Sequence, residues 1–579
     1  MSIIDIAIIV AYFLVMIVMG FWYQKKASQS LESYFLSGRS MHWLALAMSG
    51  SVGTFDISGT MWIVSVLFIL GMKSLWIHWM WGVMMGAFFM AYMGKWVRRS
   101  NVITAAEWMV TRFGSDRGGV VARTSYAFMA VLTLSSFIGY AYQGIGKFAA
   151  IYIPFSPTVC GVAIIASTTI YVILGGLYSV VITQVVQTII LTIAAVIISI
   201  IAYVKLTPEI IAASVPVDYT SLLPIWRLSD LAGTGNAAYE LFGALVIVWV
   251  LKGLLLNLGG PAQMCDFQLF LAARNPRDAA KTGAAWSFFL IVRWGMCAGI
   301  TLLALTGIAS TADPEQVMPV VLRDYLPAGF RGLVLAGLLA AFMSTFSATV
   351  NSAASFIVRD ILQPFFMPQV TERRLVASSR IATVAVVLVG VAIGFQADSI
   401  TQIWNWTMMA LGAGVIMPNV LRWYWWRMNG WGYAAGILGG IALSLIALFR
   451  PDAPMYVVFP PICVASLLMS LLVSLVTAPV EMPILVSFYK TVRPFGLWGP
   501  VRDVAQLRLS GREKTSESAM RSLGNTLLGM IAVTGYYLFP MYLVGHWHGI
   551  AALCLVVALA ATAVLAKTWY PYLLDENEG

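Results

Sequence analysis

The sequence predicts an all-α integral membrane protein with about fifteen spanning helices, and three observations carry that prediction. Of 579 residues, 60% are hydrophobic and only 10% charged, whereas a soluble domain carries about 25% charge. Apolar runs of about 20 residues, the length that crosses roughly 30 Å of hydrocarbon, recur almost to the end of the chain, which reads as one membrane domain. The runs are continuously apolar, without the polar–apolar alternation of a membrane β-barrel.

The runs fall near 3–22, 43–70, 75–97, 122–148, 157–176, 178–204, 238–266, 280–308, 331–358, 377–395, 400–422, 431–449, 456–477, 524–544 and 547–567. The first is no signal peptide, because no basic residue precedes it and no small-residue cleavage site ends it. Lys25 and Lys26 follow it, which puts the N-terminus outside. Alternating from there, the outside loops hold only Lys73, Lys205, Arg227, Arg323, Arg331 and Arg450. Lys147, Lys252 and Arg293 fall within spans, and every other Lys or Arg of the 35 falls inside. The C-terminus is then cytoplasmic, in a plasma membrane expected to be a bacterial inner membrane. The net charge of +10 is an orientation signal that needs no nucleic-acid partner. Five cysteines form no CxxC pair and four histidines lack metal-ligand spacing. With no HExxH and no GxSxG paired with a buried histidine, an enzyme is not expected, and no cofactor is.

Polar residues inside spans are costly, about 2.5–3.5 kcal/mol for a central charge, so they are functional candidates. "SVGTFDISGT" (51–60) places Asp56 between Gly53 and Gly59 in mid-run. Glycine is a poor helix residue, and Ser, Thr and Asp offer the backbone competing hydrogen bonds. The stretch predicts an unwound turn, tolerated in a membrane only when buried in protein or lining a cavity. Freed carbonyls and a carboxylate suit a small hard cation; a hydrogen-bonded packing aspartate is the alternative. A second interruption, "LLLNLGGPAQMCDF" (254–267), brings Asn257, Gly259, Gly260 and Pro261 into mid-span, with a plain proline kink as its alternative. Two broken helices five spans apart point to a transporter with a five-plus-five inverted repeat. "LAAFMSTFSATVNSAAS" (339–355) sets Ala341 and Ser344 on one helix face beside Thr345, or serves close helix packing.

Four motifs in order carry a resemblance: "SYFLSGRS" (33–40), "TAAEWMVTRFG" (104–114), "GGLYSVVITQVVQ" (175–187) and "AAFMSTFSATVNSAAS" (340–355). Residues 1 to about 480 resemble the sodium:solute symporters, the family of sodium/glucose, sodium/proline and sodium/sialic-acid carriers. The resemblance implies the five-plus-five core and sodium-coupled solute uptake by alternating access. It implies a sodium site of the Thr54, Ile57 and Ala341 carbonyls with the Ser344 and Thr345 hydroxyls, and Asp56 assisting. Many members carry an acidic residue where this chain has Gln184, so one sodium per cycle is expected.

The resemblance also implies a neighbouring solute site, with His78, Gln143, Asn257, Gln263, Trp404 and Asn405 as candidates. Trp76, Trp79, Trp81, Trp404 and Trp406 can stack on a sugar ring, or belong to packing and interfacial belts. Amides and tryptophans favour a neutral, sugar-like solute; a carboxylate, an amino acid or proton coupling stays open. Lys147, Lys252 and Arg293 can pair with a carboxylate or neutralise helix ends. The expected division is 1–42, an outer helix and loop; 43–426, the ten-helix core; 427–478, two further helices; 479–523, a basic cytoplasmic linker; and 524–579, two last helices to which no chemistry is assigned.

Overall fold

The computed structural model describes residues 1–27, 41–102, 105–231, 236–260, 264–307, 313–447, 453–507, 509 and 511–573. Among them there is no β-strand; two isolated bridges are the only extended pairings. The main helices are α1 (Ile3–Ala27), α2 (Trp43–Thr54), α3 (Ile57–Leu70), α4 (Leu75–Phe88), α5 (Arg117–Ala150), α6 (Pro157–Lys205), α7 (Phe242–Leu258), α8 (Met264–Leu271), α9 (Pro276–Phe289) and α10 (Ile291–Gly307). They continue with α11 (Phe330–Ser355), α12 (Glu372–Phe395), α13 (Ile400–Asn405), α14 (Gly412–Tyr424), α15 (Gly430–Ala447), α16 (Met455–Val476), α17 (Met482–Val492), α18 (Gly499–Ala505), α19 (Ala519–Val544) and α20 (His548–Thr568). Among the described residues nine helices are long and apolar enough to cross a membrane, and four shorter apolar ones stand beside them. Breaks and π-turns divide several of the expected spans, such as 43–70 into α2 and α3.

Both expected interruptions are present. Phe55 and Asp56 leave the helical conformation, and Asp56 turns to φ −74°, ψ 160° to cap α3. The second run stops at Gly259, and Gly260 takes φ +104°, a left-handed backbone that favours glycine. The expected spans 157–176 and 178–204 follow one another along the helical stretch α6, with separate apolar segments at Pro157–Ile170 and Gln184–Lys205.

The second helix break is sealed by the end of α14. The Gly259 carbonyl accepts from Trp423 Nε1 at 3.0 Å and from the Arg422 guanidinium at 3.4 Å. At the other end of the fold, Asp5 of α1 is fully buried and caps the start of α11. It accepts from the N–H groups of Gly329 and Gly332 and from Arg331 at 2.8–3.0 Å, placing negative charge at a helix N-terminus.

Residues 479–523 read as a linker in the sequence, yet their described part is folded against the core. The fully buried Arg112 donates to the Arg422 and Trp425 carbonyls at 2.9 and 3.0 Å. Its guanidinium also lies on the rings of Phe488 of α17 and Trp498, 5.4 and 4.8 Å from their centres. Glu517 pairs with Arg99 at 2.8 Å and Lys95 at 3.6 Å. Basic residues thus fasten this segment to the core.

Candidate functional site

The break between α2 and α3 opens onto a buried cavity of about 90 Å3, walled by α3, α4, α5, α10, α11, α13 and α19. Asp56 lies at its edge because it caps α3, accepting from the Gly59 N–H at 3.0 Å. Thr54 ends α2, and its hydroxyl donates back to the Ser51 carbonyl at 2.8 Å. The Thr345 hydroxyl of α11 reaches the Gly53 carbonyl at 3.1 Å and its own Ala341 carbonyl at 3.0 Å. Oxygen atoms from the break and from α11 therefore meet at one wall, where the candidates Thr54, Asp56 and Thr345 come together.

Ser344 faces elsewhere. Its hydroxyl accepts from Gln184 Nε2 at 2.6 Å, and Ser49 donates to the Gln184 carbonyl oxygen. A neutral amide thus bridges α2, α6 and α11 within the core. Ala341 and Ile57 are fully buried behind the wall and do not line the cavity.

Arg293 is the group that the sequence flagged without assigning. It lies mid-span in Pro276–Gly307, lines the cavity and donates to the Thr54 carbonyl. Its guanidinium is 3.7 Å from the Asp56 carboxylate and 5.3 Å over the Phe55 ring. The carbonyl expected to face sodium faces a guanidinium in this conformation. Both are cations, and an unwound carbonyl serves whichever is nearer.

The aromatic wall is Trp62, Phe137, Tyr140, Trp294, Phe342, Phe346, Trp404 and Tyr537. Trp62 packs on Trp404 with ring centres 5.3 Å apart. His78 meets the Trp62 face edge-on at 4.6 Å, and both its ring nitrogens are buried without a well-formed hydrogen bond. Tyr537 stacks on Trp294 at 5.4 Å. It comes from α19, a helix to which sequence patterns assign no chemistry; no local pattern separates it from other tyrosines in apolar runs.

Of the solute candidates, His78 and Trp404 line the cavity. Gln143 does not: its amide donates to the Gly394 and Ala397 carbonyls at 2.8 and 2.7 Å, fastening α5 to the end of α12. Asn257 is buried and donates within α7 to the Gly253 carbonyl at 2.8 Å. Asn405 lies outside the lining, and Gln263 lies outside the described residues. Trp76 bonds to the Leu222 carbonyl at 2.6 Å and Trp406 to the Ser444 carbonyl at 3.2 Å, so both indoles serve packing. Lys147 pairs with Glu315 at 2.6 Å, and Lys252 lies over the Trp249 ring at 3.9 Å.

This architecture has a known counterpart. The sequence pattern of the sodium:solute symporter family matches residues 34–440. The chain belongs to the sodium:solute symporter family. Its members are sodium-coupled membrane transporters, and it is a transporter rather than an enzyme. Relatives include the osmoregulated proline transporter OpuE of Bacillus subtilis, 23% identical over 80% of this chain and 93% of that one. The sodium/glucose cotransporter of Vibrio parahaemolyticus is 24% identical over 78% of this chain and 86% of its own. A substrate-bound, outward-open Na+-coupled sialic acid symporter superposes with a TM-score of 0.64 at 17% identity, over 83% of this chain and 99% of that one. That likeness is one of fold.

Proposed function

We propose that this symporter couples inward movement of one sodium ion to uptake of a small organic solute through the cavity at the α2–α3 break. The observation that carries the reading is the bond from Thr345 to the Gly53 carbonyl at 3.1 Å, beside Asp56. It joins a broken helix and α11 through hard oxygen atoms, the donors that hard cations favour. The Thr54 and Thr345 oxygens at the cavity wall are the proposed sodium ligands, with Asp56 supplying charge nearby; Ile57, Ala341 and Ser344, which the family resemblance adds to the set, do not line the cavity in this conformation. His78 and Trp404 are the proposed solute contacts.

One sodium per cycle follows from Gln184, a neutral amide already shared between Ser49 and Ser344. One charge moving through about 100 mV supplies about 2.3 kcal/mol, and a tenfold gradient adds about 1.4 kcal/mol. Together they sustain roughly 500-fold accumulation of a neutral solute. The tryptophan wall supports a sugar-like, ring-bearing body. Neutrality rested on amides, and Gln143 and Asn257 are committed to backbone carbonyls. The proposed setting is a bacterial inner membrane, N-terminus outside and C-terminus cytoplasmic, as the distribution of Lys and Arg supports.

The test is tracer uptake into proteoliposomes with a panel of sugars, acids and amino acids, with and without a sodium gradient. Uptake is expected to require inward sodium, one ion per solute. Uptake that follows pH and ignores sodium overturns the coupling ion, and a ratio of two overturns the stoichiometry.

A further inference from the structure

We propose that Arg293 binds a carboxylate of the transported solute, and that this binding releases the Thr54 carbonyl to sodium. The solute is then a monocarboxylate with a compact apolar or ring-bearing body. The inference rests on the sodium-coupled reading above.

The geometry begins with unused donors. A guanidinium carries five N–H groups in a planar fork. In Arg293 one nitrogen donates to Thr54, and Asp56 at 3.7 Å is near enough for charge but too far for a hydrogen bond. The Arg293 Nε is buried with no hydrogen-bond partner. The residue lines the cavity beside Asp56, Tyr140 and His78. A fork with open donors at a cavity wall is the shape that takes a carboxylate through two parallel bonds. Trp62, Trp294, Trp404 and Tyr537 then hold the remainder of the molecule.

Charge balance points the same way. Asp56 and Arg293 cancel before anything binds. Sodium at Thr54 and Thr345 would leave one positive charge in a site shielded from water, which is costly. A monoanion restores neutrality; a sugar or a zwitterion leaves the excess in place, and a dicarboxylate reverses it.

The two ligands are linked through one atom. The Thr54 carbonyl serves either Arg293 or sodium. A carboxylate that draws the guanidinium into the cavity frees that oxygen, so the solute raises sodium affinity. By reciprocity sodium raises solute affinity by the same factor. Co-transport of one sodium with one monoanion moves no net charge, so the membrane potential should not drive it.

The experiment uses the full-length protein in liposomes and reads sodium half-saturation by the fluorescence of the cavity tryptophans. The probes are matched pairs: benzoate and benzyl alcohol, glucuronate and glucose, lactate and propane-1,2-diol. In the wild type at least one acid, and none of the neutral partners, should lower sodium half-saturation about tenfold. Arg293→Gln should bind sodium about tenfold more tightly without solute, because the carbonyl is free and Asp56 is unopposed, and should ignore the acids. Arg293→Lys keeps the charge without the fork; it should bind sodium as the wild type does and respond to the acids more weakly than the wild type. Uptake of the active acid should not change when a potassium–valinomycin potential is imposed.

Neutral partners as effective as the acids, an acid response kept in Arg293→Gln, or no sodium tightening in that variant would each overturn the proposal. Absence of any sodium signal in the wild type, with acid uptake persisting, sinks the coupling reading alone. The preference for acid over alcohol, and its loss in Arg293→Gln, then still decides the carboxylate.

Discussion

The two helix breaks use one backbone device for different ends. In each, the last carbonyl before the break accepts from an arginine: Thr54 from Arg293, and Gly259 from Arg422. What surrounds the arginine differs. Arg422 is buried against the rings of Trp108, Tyr126 and Trp423 at 4.8–5.8 Å, and Trp423 adds its own bond to the same Gly259 carbonyl. Arg293 faces a cavity, with Asp56 across from it. An arginine walled in by aromatic faces acts as a structural clamp. An arginine beside a carboxylate and a cavity has somewhere else to go, and the first break is where we propose the transport chemistry.

Substitutions at the two breaks should therefore separate transport from stability. The largest effect on transport is expected from Gly59→Ala. A Cβ there would lie 2.4 Å from Asp56 Oδ1, 3.0 Å from the Arg293 guanidinium and 3.1 Å from the Tyr140 hydroxyl. It wedges apart the charged pair at the cavity, and a folded protein with uptake reduced about 100-fold is expected, a loss of roughly 2.7 kcal/mol. Uptake within a few-fold of wild type would show that the spacing of Asp56 and Arg293 is unimportant.

Next comes Thr345→Ala, which removes the hydroxyl bonded to Gly53. Loss of a charge-assisted contact of about 1.4 kcal/mol should raise sodium half-saturation about tenfold and leave solute affinity at saturating sodium nearly unchanged. An unaltered sodium requirement in uptake assays would place the ion elsewhere.

At the second break, Gly260→Ala should behave in the opposite way. The residue has φ +104°, and an added Cβ would stand 3.2 Å from Trp423 Nε1. A cost of about 1–2 kcal/mol should appear as a lower melting temperature in detergent, with sodium half-saturation kept. A shift in sodium affinity without loss of stability would erase the contrast between the breaks.

The smallest effect on transport is expected from the Glu517 cluster, which lies apart from both breaks. Burial raises the Glu517 pKa, but Lys95, Arg99 and Arg493 outweigh it and hold the carboxyl at about 2. The folded value is below the unfolded value of about 4.3, so the stabilisation is complete above the unfolded pKa and is lost as pH falls through about 2. Melting temperatures should show no pH dependence from this group between pH 5 and 7 and a decline below about pH 4. Glu517→Gln should flatten that decline while sodium half-saturation at neutral pH stays put.

The candidate site is partly legible in the sequence. Asp56 and Arg293 stood out because each puts a charge into an apolar run, where hydrocarbon makes charge expensive. Thr345 was legible through the family motif. Gln143 and Asn257 misled for a physical reason: a buried amide must find partners, and nothing local tells whether they will be a solute or nearby carbonyls. Tyr537 was invisible because its role depends on α19 packing against α4 and α10, hundreds of residues away in sequence. The folded segment after 479 was hidden likewise, since its anchors Arg112 and Glu517 look like ordinary loop charges until their partners arrive.

By itself, the sequence determined a helical membrane protein, two broken spans and the charges buried within them. Those follow from local facts, namely the apolar length that hydrocarbon demands and the residues that interrupt it. Only the tertiary structure decided that the Thr54 carbonyl meets Arg293, that Gln184 bridges Ser49 and Ser344, and that a late helix completes the cavity wall. Each of these is a contact between groups far apart in the chain, and which group satisfies a buried donor or acceptor is settled only when the helices pack.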